Sequence, residues 1–283
     1  MMMTRTRSSA STVTAESRTL TRRDFLAGSS AAGLLACASL AALPTSPAPL
    51  LMRTVPRSGA RLPIVGLGGS ASFRSAADAG DVPRLATVLE TLVAGGGSVF
   101  DTAAIYGNSE SVAGAVAQTL GIADEIFWAT KVYVEPGSVS ARDQAAAARR
   151  QLEQSFERTR RRHLDLIQLH DVTDVRGQRG ILDEMQSLKH QGRVRHLGAT
   201  SIRKEHYADL EHVMRDGAID FVGVDYAIDN RSAADRVLPL AKDLGIAVLV
   251  YRPFGNSRLW SRVAGHRLPS WAAELGIGSW AQF

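Results

Sequence analysis

The feature that most restricts this chain is a regular beat of short apolar runs and longer amphipathic ones. After Leu51 the order is "LPIVGLGGSA", "DVPRLATVLETLVAGG", "SVFDTAAI", "SESVAGAVAQTLG", "EIFWATKVYV" and so on, to "IAVLVYRPFG" and "LPSWAAELG". The short runs are apolar on both faces, which suits strands of a parallel sheet with helices packed over it. The longer runs carry helix punctuation, such as Pro83 near a start and glycines after an end. Strand, helix, parallel strand is a right-handed crossover, and seven such units are expected, the last helix running to Phe283.

Two architectures take this beat, an open doubly wound sheet and a (β/α)8 barrel. A doubly wound dinucleotide fold opens on Gly-x-Gly-x-x-Gly, and the glycines of "VGLGGSAS" have the wrong spacing for it. A barrel instead gathers its chemistry at the C-terminal ends of its strands. Polar residues recur there: Asp101 and Tyr106 after the second strand, Lys131 at the end of the third, His170 at the end of the fourth, Thr200 and Ser201 at the fifth. The expected fold is therefore α/β, a (β/α)8 TIM barrel over residues 51–283, lacking the eighth strand and helix.

These residue types make one kind of tool. A phenol ordinarily titrates near pH 10 and is a weak acid at neutral pH. An ammonium group beside it favours the phenolate, and a carboxylate keeps a buried ammonium charged. Tyr106, Lys131 and Asp101 supply these three parts, and His170 can orient a substrate oxygen. Together they suit proton donation to a carbonyl as hydride reaches its carbon. A Schiff-base role for Lys131 is disfavoured, because Asp101 favours the charged amine. The seven histidines show no metal-ligand spacing, so no metal is expected. Phe73, Trp128 and Tyr133 are read as packing residues, and the "RTRRRH" cluster at Arg158 as the cationic end of a helix.

"FDTAAIYGNSE", "WATKVYV", "HLDLIQLHDV", "GRVRHLGATS" and "GIAVLVYRPFGN" resemble the aldo/keto reductase superfamily, from about Leu62 to the C-terminus. The resemblance implies a barrel that binds NADPH, with NADH not excluded, and reduces a small aldehyde or ketone reversibly. It makes Tyr106 the general acid, tuned by Lys131 and Asp101, with His170 orienting the substrate. It places Thr200 and Ser201 on the nicotinamide carboxamide and Tyr251 against the nicotinamide ring. Arg252 and Gly255 follow in the same cofactor loop; Arg252 either reaches a cofactor phosphate or points to solvent. Gly223 stands where the family has a glutamine. The rival expectation is a low-turnover cofactor-binding or regulatory barrel that retains the site.

Residues 1–50 read as an address. "TRRDF" with Arg22-Arg23, a mild Ala/Gly/Leu run and a proline-rich break resemble a twin-arginine signal. The implied partner is the twin-arginine export machinery, and the implied location is periplasmic or extracellular. "LLAC" at Cys37 resembles a lipobox, which would add a lipid anchor. Five arginines against Glu16 and Asp24 in this segment leave the rest only slightly basic, so no nucleic-acid partner is expected.

Overall fold

A computed structural model describes residues 50–135, 137–140 and 143–283. The signal-like segment, with Arg22, Arg23 and Cys37, lies outside the described residues. Among the described residues no helix is long and apolar enough to cross a membrane.

The chain enters through an antiparallel hairpin, β1 (Met52–Thr54) and β2 (Arg61–Pro63). Seven parallel strands follow: β3 (Leu67–Gly68), β4 (Val99–Asp101), β5 (Phe127–Val132), β6 (Leu164–Leu169), β7 (Val194–Ser201), β8 (Phe221–Asp225) and β9 (Ala247–Tyr251). Each strand pairs with the next in sequence, and the order never reverses. A sheet wound always in one direction keeps its right-handed crossovers on one side and curls, whereas a doubly wound sheet reverses in the middle. The fold is the (β/α)8 type carrying seven strands, with β3 and β9 at its two edges.

Alternation along the strands separates two cores. Residues such as Phe100, Trp128, Val132, Ile167 and Val222 pack outward under the helices. Val99, Phe127, Ala129, Leu166 and Phe221 point the other way, into a lumen that Val55 of the hairpin turn helps to fill. Arg57 binds the hairpin there, donating to the carbonyls of Gly217, Ile219 and Leu244. The same alternation makes Asp101, Lys131, Gln168 and Tyr251 lumen residues one or two steps above the apolar plug. Burying an outward side chain such as Phe100 contributes about 1.5–3 kcal/mol, so the period of two is strongly enforced.

The helices are α1 (Ser72–Asp78), α2 (Val82–Ala94), α3 (Ser109–Leu120), α4 (Gln144–Thr159), α5 (Arg179–His190), α6 (Tyr207–Arg215), α7 (Val237–Asp243) and α8 (Arg258–Val263). Phe73 and Trp128 pack on Phe100, as expected of packing residues. The arginine cluster does more than face a helix dipole. Arg158 donates to the Ala104 carbonyl at 3.2 Å and reaches buried Glu110, while Arg161 pairs with Asp124 at 2.6 Å. It ties α4 to the turn that carries Tyr106.

Two expectations need correction. "LPIVGLGGSA" is not one strand: Pro63, which has no N–H, closes the hairpin strand, and Gly66, Gly68 and Gly69 leave β3 only two residues. The segment "SASFRSAADAG" contains α1. The final helix is not continuous: after α8 comes only a 3-10 turn, Ser270–Leu275, because Pro269 and the positive-φ Gly265 and Gly276 interrupt it. The outer face of β9 is consequently thinly covered, with Val248 and Val250 37% and 44% exposed.

Candidate active site

Lys131 sits at the centre of the mouth. It is almost fully buried, and its ammonium donates to Asp101 Oδ2 at 2.6 Å and to the Thr102 carbonyl at 2.8 Å. A buried cation persists only when paired and hydrogen-bonded, and these two acceptors meet that need. Two phenol rings flank it: Nζ lies 5.2 Å from the centroid of Tyr106 and 5.0 Å from that of Tyr251. The geometry suits cation–π attraction to both.

Tyr106 belongs to the turn between β4 and α3. Asp78, at the end of α1, accepts from the Asn108 N–H at 2.8 Å, and so fixes that turn. Gly107 has φ 54, and a Cβ there would lie 2.5 Å from the Asp78 carboxylate. Only glycine serves that position. Asp78 was not foreseen in the sequence; its signal was an aspartate closing a short helix just before the helix-starting Asp81.

His170 stands edge-on to Tyr106, ring centroids 5.6 Å apart, with Tyr133 on its other side at 6.1 Å. Tyr133 thus lines the mouth rather than packing in the core. Burial, reinforced by the Lys131 charge, pushes the His170 imidazole down to about 3. It is therefore neutral at physiological pH, and its Nδ1 is buried with no hydrogen-bond partner among the described residues. A neutral imidazole offers one N–H to a substrate oxygen without competing with Lys131 for a charge. Folding depresses this group, so the unfolded chain binds the extra proton between about pH 6.5 and 3. The associated stability is fully present above 6.5 and is lost as pH falls through the folded value, at up to about 1.4 kcal/mol per pH unit. Urea unfolding from pH 7 to 4 should show that slope, and His170→Gln should flatten it; an identical slope in the variant would place its origin elsewhere.

The cofactor candidates lie on the next strands. Thr200 and Ser201 are buried at the end of β7. Thr200 Oγ1 accepts from the Asp171 N–H at 2.9 Å, which leaves its own proton available, while Ser201 Oγ lies 3.2 Å from the Arg203 carbonyl and 3.4 Å from Asp171. Tyr251 turns its hydroxyl into the lumen, 2.9 Å from Gln168 Oε1 and 3.2 Å from Asp101 Oδ1. Arg252 has a half-exposed side chain that leans toward Asp225, 3.8 Å away. Gly255 (φ 61) packs under the guanidinium of Arg258, which is held by both oxygens of Asp229 at 2.7 Å. Asp101, Tyr106, Lys131, His170 and Tyr251 are thus brought together, Thr200 and Ser201 stand at the adjacent strand end, and Arg252 and Gly255 lie on the loop beyond β9. Gln168, at the bottom of this group, was missed; its signal was the period of two counted back from His170 in "LIQLH".

A cleft of about 640 Å³ opens at the opposite, N-terminal end of the strands. Two ion pairs line it, Arg161 with Asp124 and Arg195 with Asp165 at 3.3 Å, beside Glu125 and His163. The residues expected to do chemistry converge at the other end.

Fold and site define a class: a (β/α)8-type protein with a phenol, a buried lysine–aspartate pair and a neutral histidine at the strand ends. The aldo/keto reductase family model matches residues 65–268, and the chain belongs to that family. Among curated relatives it is 26% identical to the aldo-keto reductase str7 of Strobilurus tenacellus over 172 residues, which is 61% of this chain and 51% of that protein. It is 28% identical to the NADH-specific methylglyoxal reductase of Escherichia coli over 88 residues, 31% of this chain and 26% of that one. The chain therefore spans about half, or less, of the length of these relatives. An aldo/keto reductase from Klebsiella pneumoniae, solved with NADP and acetate, shares the fold with a TM-score of 0.63 at 22% identity, covering 77% of this chain and 74% of the other.

Proposed function

We propose that this protein reduces a small aldehyde or ketone to an alcohol with NADPH or NADH, reversibly. The observation that carries the reading is Lys131, buried between the Tyr106 ring and the Asp101 carboxylate at the strand ends. The mouth fits a nicotinamide: an aromatic ring at Tyr251, hydroxyls at Thr200 and Ser201, and a basic loop at Arg252–Arg258 whose Gly255, Asn256 and Ser257 all have positive φ. Thr200 and Ser201 would hold the carboxamide, Tyr251 the ring, and Arg252 with the Gly255 loop the phosphates. The dinucleotide supplies the hydride.

The chain's own residues handle the proton. Tyr106 donates from its phenol oxygen to the carbonyl oxygen, His170 orients that oxygen with a neutral N–H, and Lys131 stabilises the negative charge left on the phenol. Asp101 keeps Lys131 charged and fixed. One relative supports the same reading: the Escherichia coli protein is an NADH-specific methylglyoxal reductase, and methylglyoxal is a small dicarbonyl. The test is quenching of protein fluorescence by NADPH and by NADH, followed by loss of their 340 nm absorbance with a panel of short aldehydes and ketones. Binding without oxidation of either cofactor on any member would favour the regulatory barrel instead. The proposal includes export through the twin-arginine route; changing Arg22-Arg23 to two lysines should leave precursor in the cytoplasm, and unimpeded export would discard that part.

A further inference from the structure

Lys131 uses only one oxygen of Asp101. The other, Oδ1, accepts from Gln168 Nε2 at 3.0 Å and lies 3.2 Å from the Tyr251 hydroxyl, which is itself 2.9 Å from Gln168 Oε1. The amide orientation is forced by charge: turned over, Gln168 would aim a carbonyl oxygen at a carboxylate. Gln168 is fully buried, and it is the register partner of Lys131 on the neighbouring strand.

Two glycines make the room for this arrangement. A Cβ at Gly198 of β7 would lie 2.9 Å from Gln168 Cγ, and one at Gly223 of β8 would lie 2.3 Å from the Tyr251 ring. Any side chain at either position would displace one of the two groups. Burial first, and then the Asp101 charge, push the Tyr251 phenol well above its ordinary range, so it remains a donor. The lumen at this level is thus filled by two neutral groups behind the ion pair: Gln168 donates to Asp101 Oδ1, and the Tyr251 hydroxyl shares its one proton between Gln168 Oε1 and that same carboxylate oxygen.

We propose that Gln168 and Tyr251 form a positioning pair that fixes the Asp101 carboxylate, and through it aims the Lys131 ammonium at Tyr106. The inference rests on the reductase reading for its kinetic consequence but not for its structural one. Without the pair, Asp101 can rotate about its side-chain bonds and share Lys131 between both oxygens, so the ammonium loses its fixed distance from the phenol. The ionisable groups facing Gln168 are Asp101 from β4, Lys131 from β5 and Tyr251 from β9.

Gln168→Met keeps the volume and removes both hydrogen bonds. Its kcat should fall on the order of 10-fold, the size associated with one hydrogen bond to a charged group, with KM for the cofactor nearly unchanged. Gln168→Glu should fall further at neutral pH, because a carboxylate then faces Asp101. It should recover relative to wild type as pH is lowered, since the protonated carboxyl group can donate again. A purely structural role would not give that opposite pH trend. Wild-type kcat in Gln168→Met, or a Gln168→Glu loss that does not vary with pH, would overturn the proposal. If Gln168→Glu fails to fold, Gln168→Met decides. If the wild-type chain reduces no carbonyl, the proposed function has failed and the pair is read in the free protein. Its Gln168 side-chain amide protons should then exchange slowly with solvent, and faster in Tyr251→Phe; exchange at the rate of an exposed amide would rule the pair out.

Discussion

Tyr106→Phe is expected to lower kcat by about 10²–10⁴-fold, the range associated with loss of a general acid, while NADPH binding stays close to wild type. The ring survives, so Lys131 keeps the aromatic face 5.2 Å away and His170 keeps its edge-on neighbour. Only the hydroxyl, and with it the proton, is gone. Loss of turnover together with loss of binding would mean that the hydroxyl holds the cofactor as well as the proton, and that Tyr106 is not a general acid alone. Turnover equal to wild type would remove Tyr106 from the chemistry altogether.

The second large effect is on stability. Lys131→Met leaves Asp101 Oδ2 and the Thr102 carbonyl without their donor, and the Asp101 charge without its cation, in a largely buried lumen. Breaking a buried pair by removing one partner costs about 3–5 kcal/mol, because the remaining charge is uncompensated. Urea denaturation should show that loss together with abolished turnover. Adding Asp101→Asn should restore most of the stability and none of the activity, since the unpaired charge disappears while the tuning cation stays absent. A single variant as stable as wild type would show that the pair is solvated rather than buried.

The parts of this molecule that were legible in its sequence are those written as a period. Strands β4 to β9 announce themselves as apolar runs, and their ends fall where Asp101, Lys131 and His170 stand. What could not be read is what depends on a neighbour far along the chain. β1 and β2 look like the start of the sheet until their pairing shows them to be a plug beneath it. Asp78 looks like a solvated residue in a nondescript segment, and only the path of the chain brings it to the turn at Gly107. Gln168 is hidden for another reason. It lies in an otherwise apolar strand, and its value comes from two glycines on other strands that clear space around it. An absent side chain carries no periodic signal, so Gly223 read as a missing cofactor contact before it could be read as room for Tyr251.

The sequential winding of the sheet also divides labour along the gene. Asp101, Tyr106, Lys131 and His170 come from three consecutive strand–helix units, β4 to β6, and the residues assigned to the dinucleotide come from β7 to β9. On the proposed reading, proton chemistry and dinucleotide binding meet at one continuous seam in the polypeptide, near α5. A chimera joined there would take its proton donor from one parent and its nicotinamide contacts from the other. Tyr251, reaching back across that seam to Asp101, is the contact a graft would have to preserve.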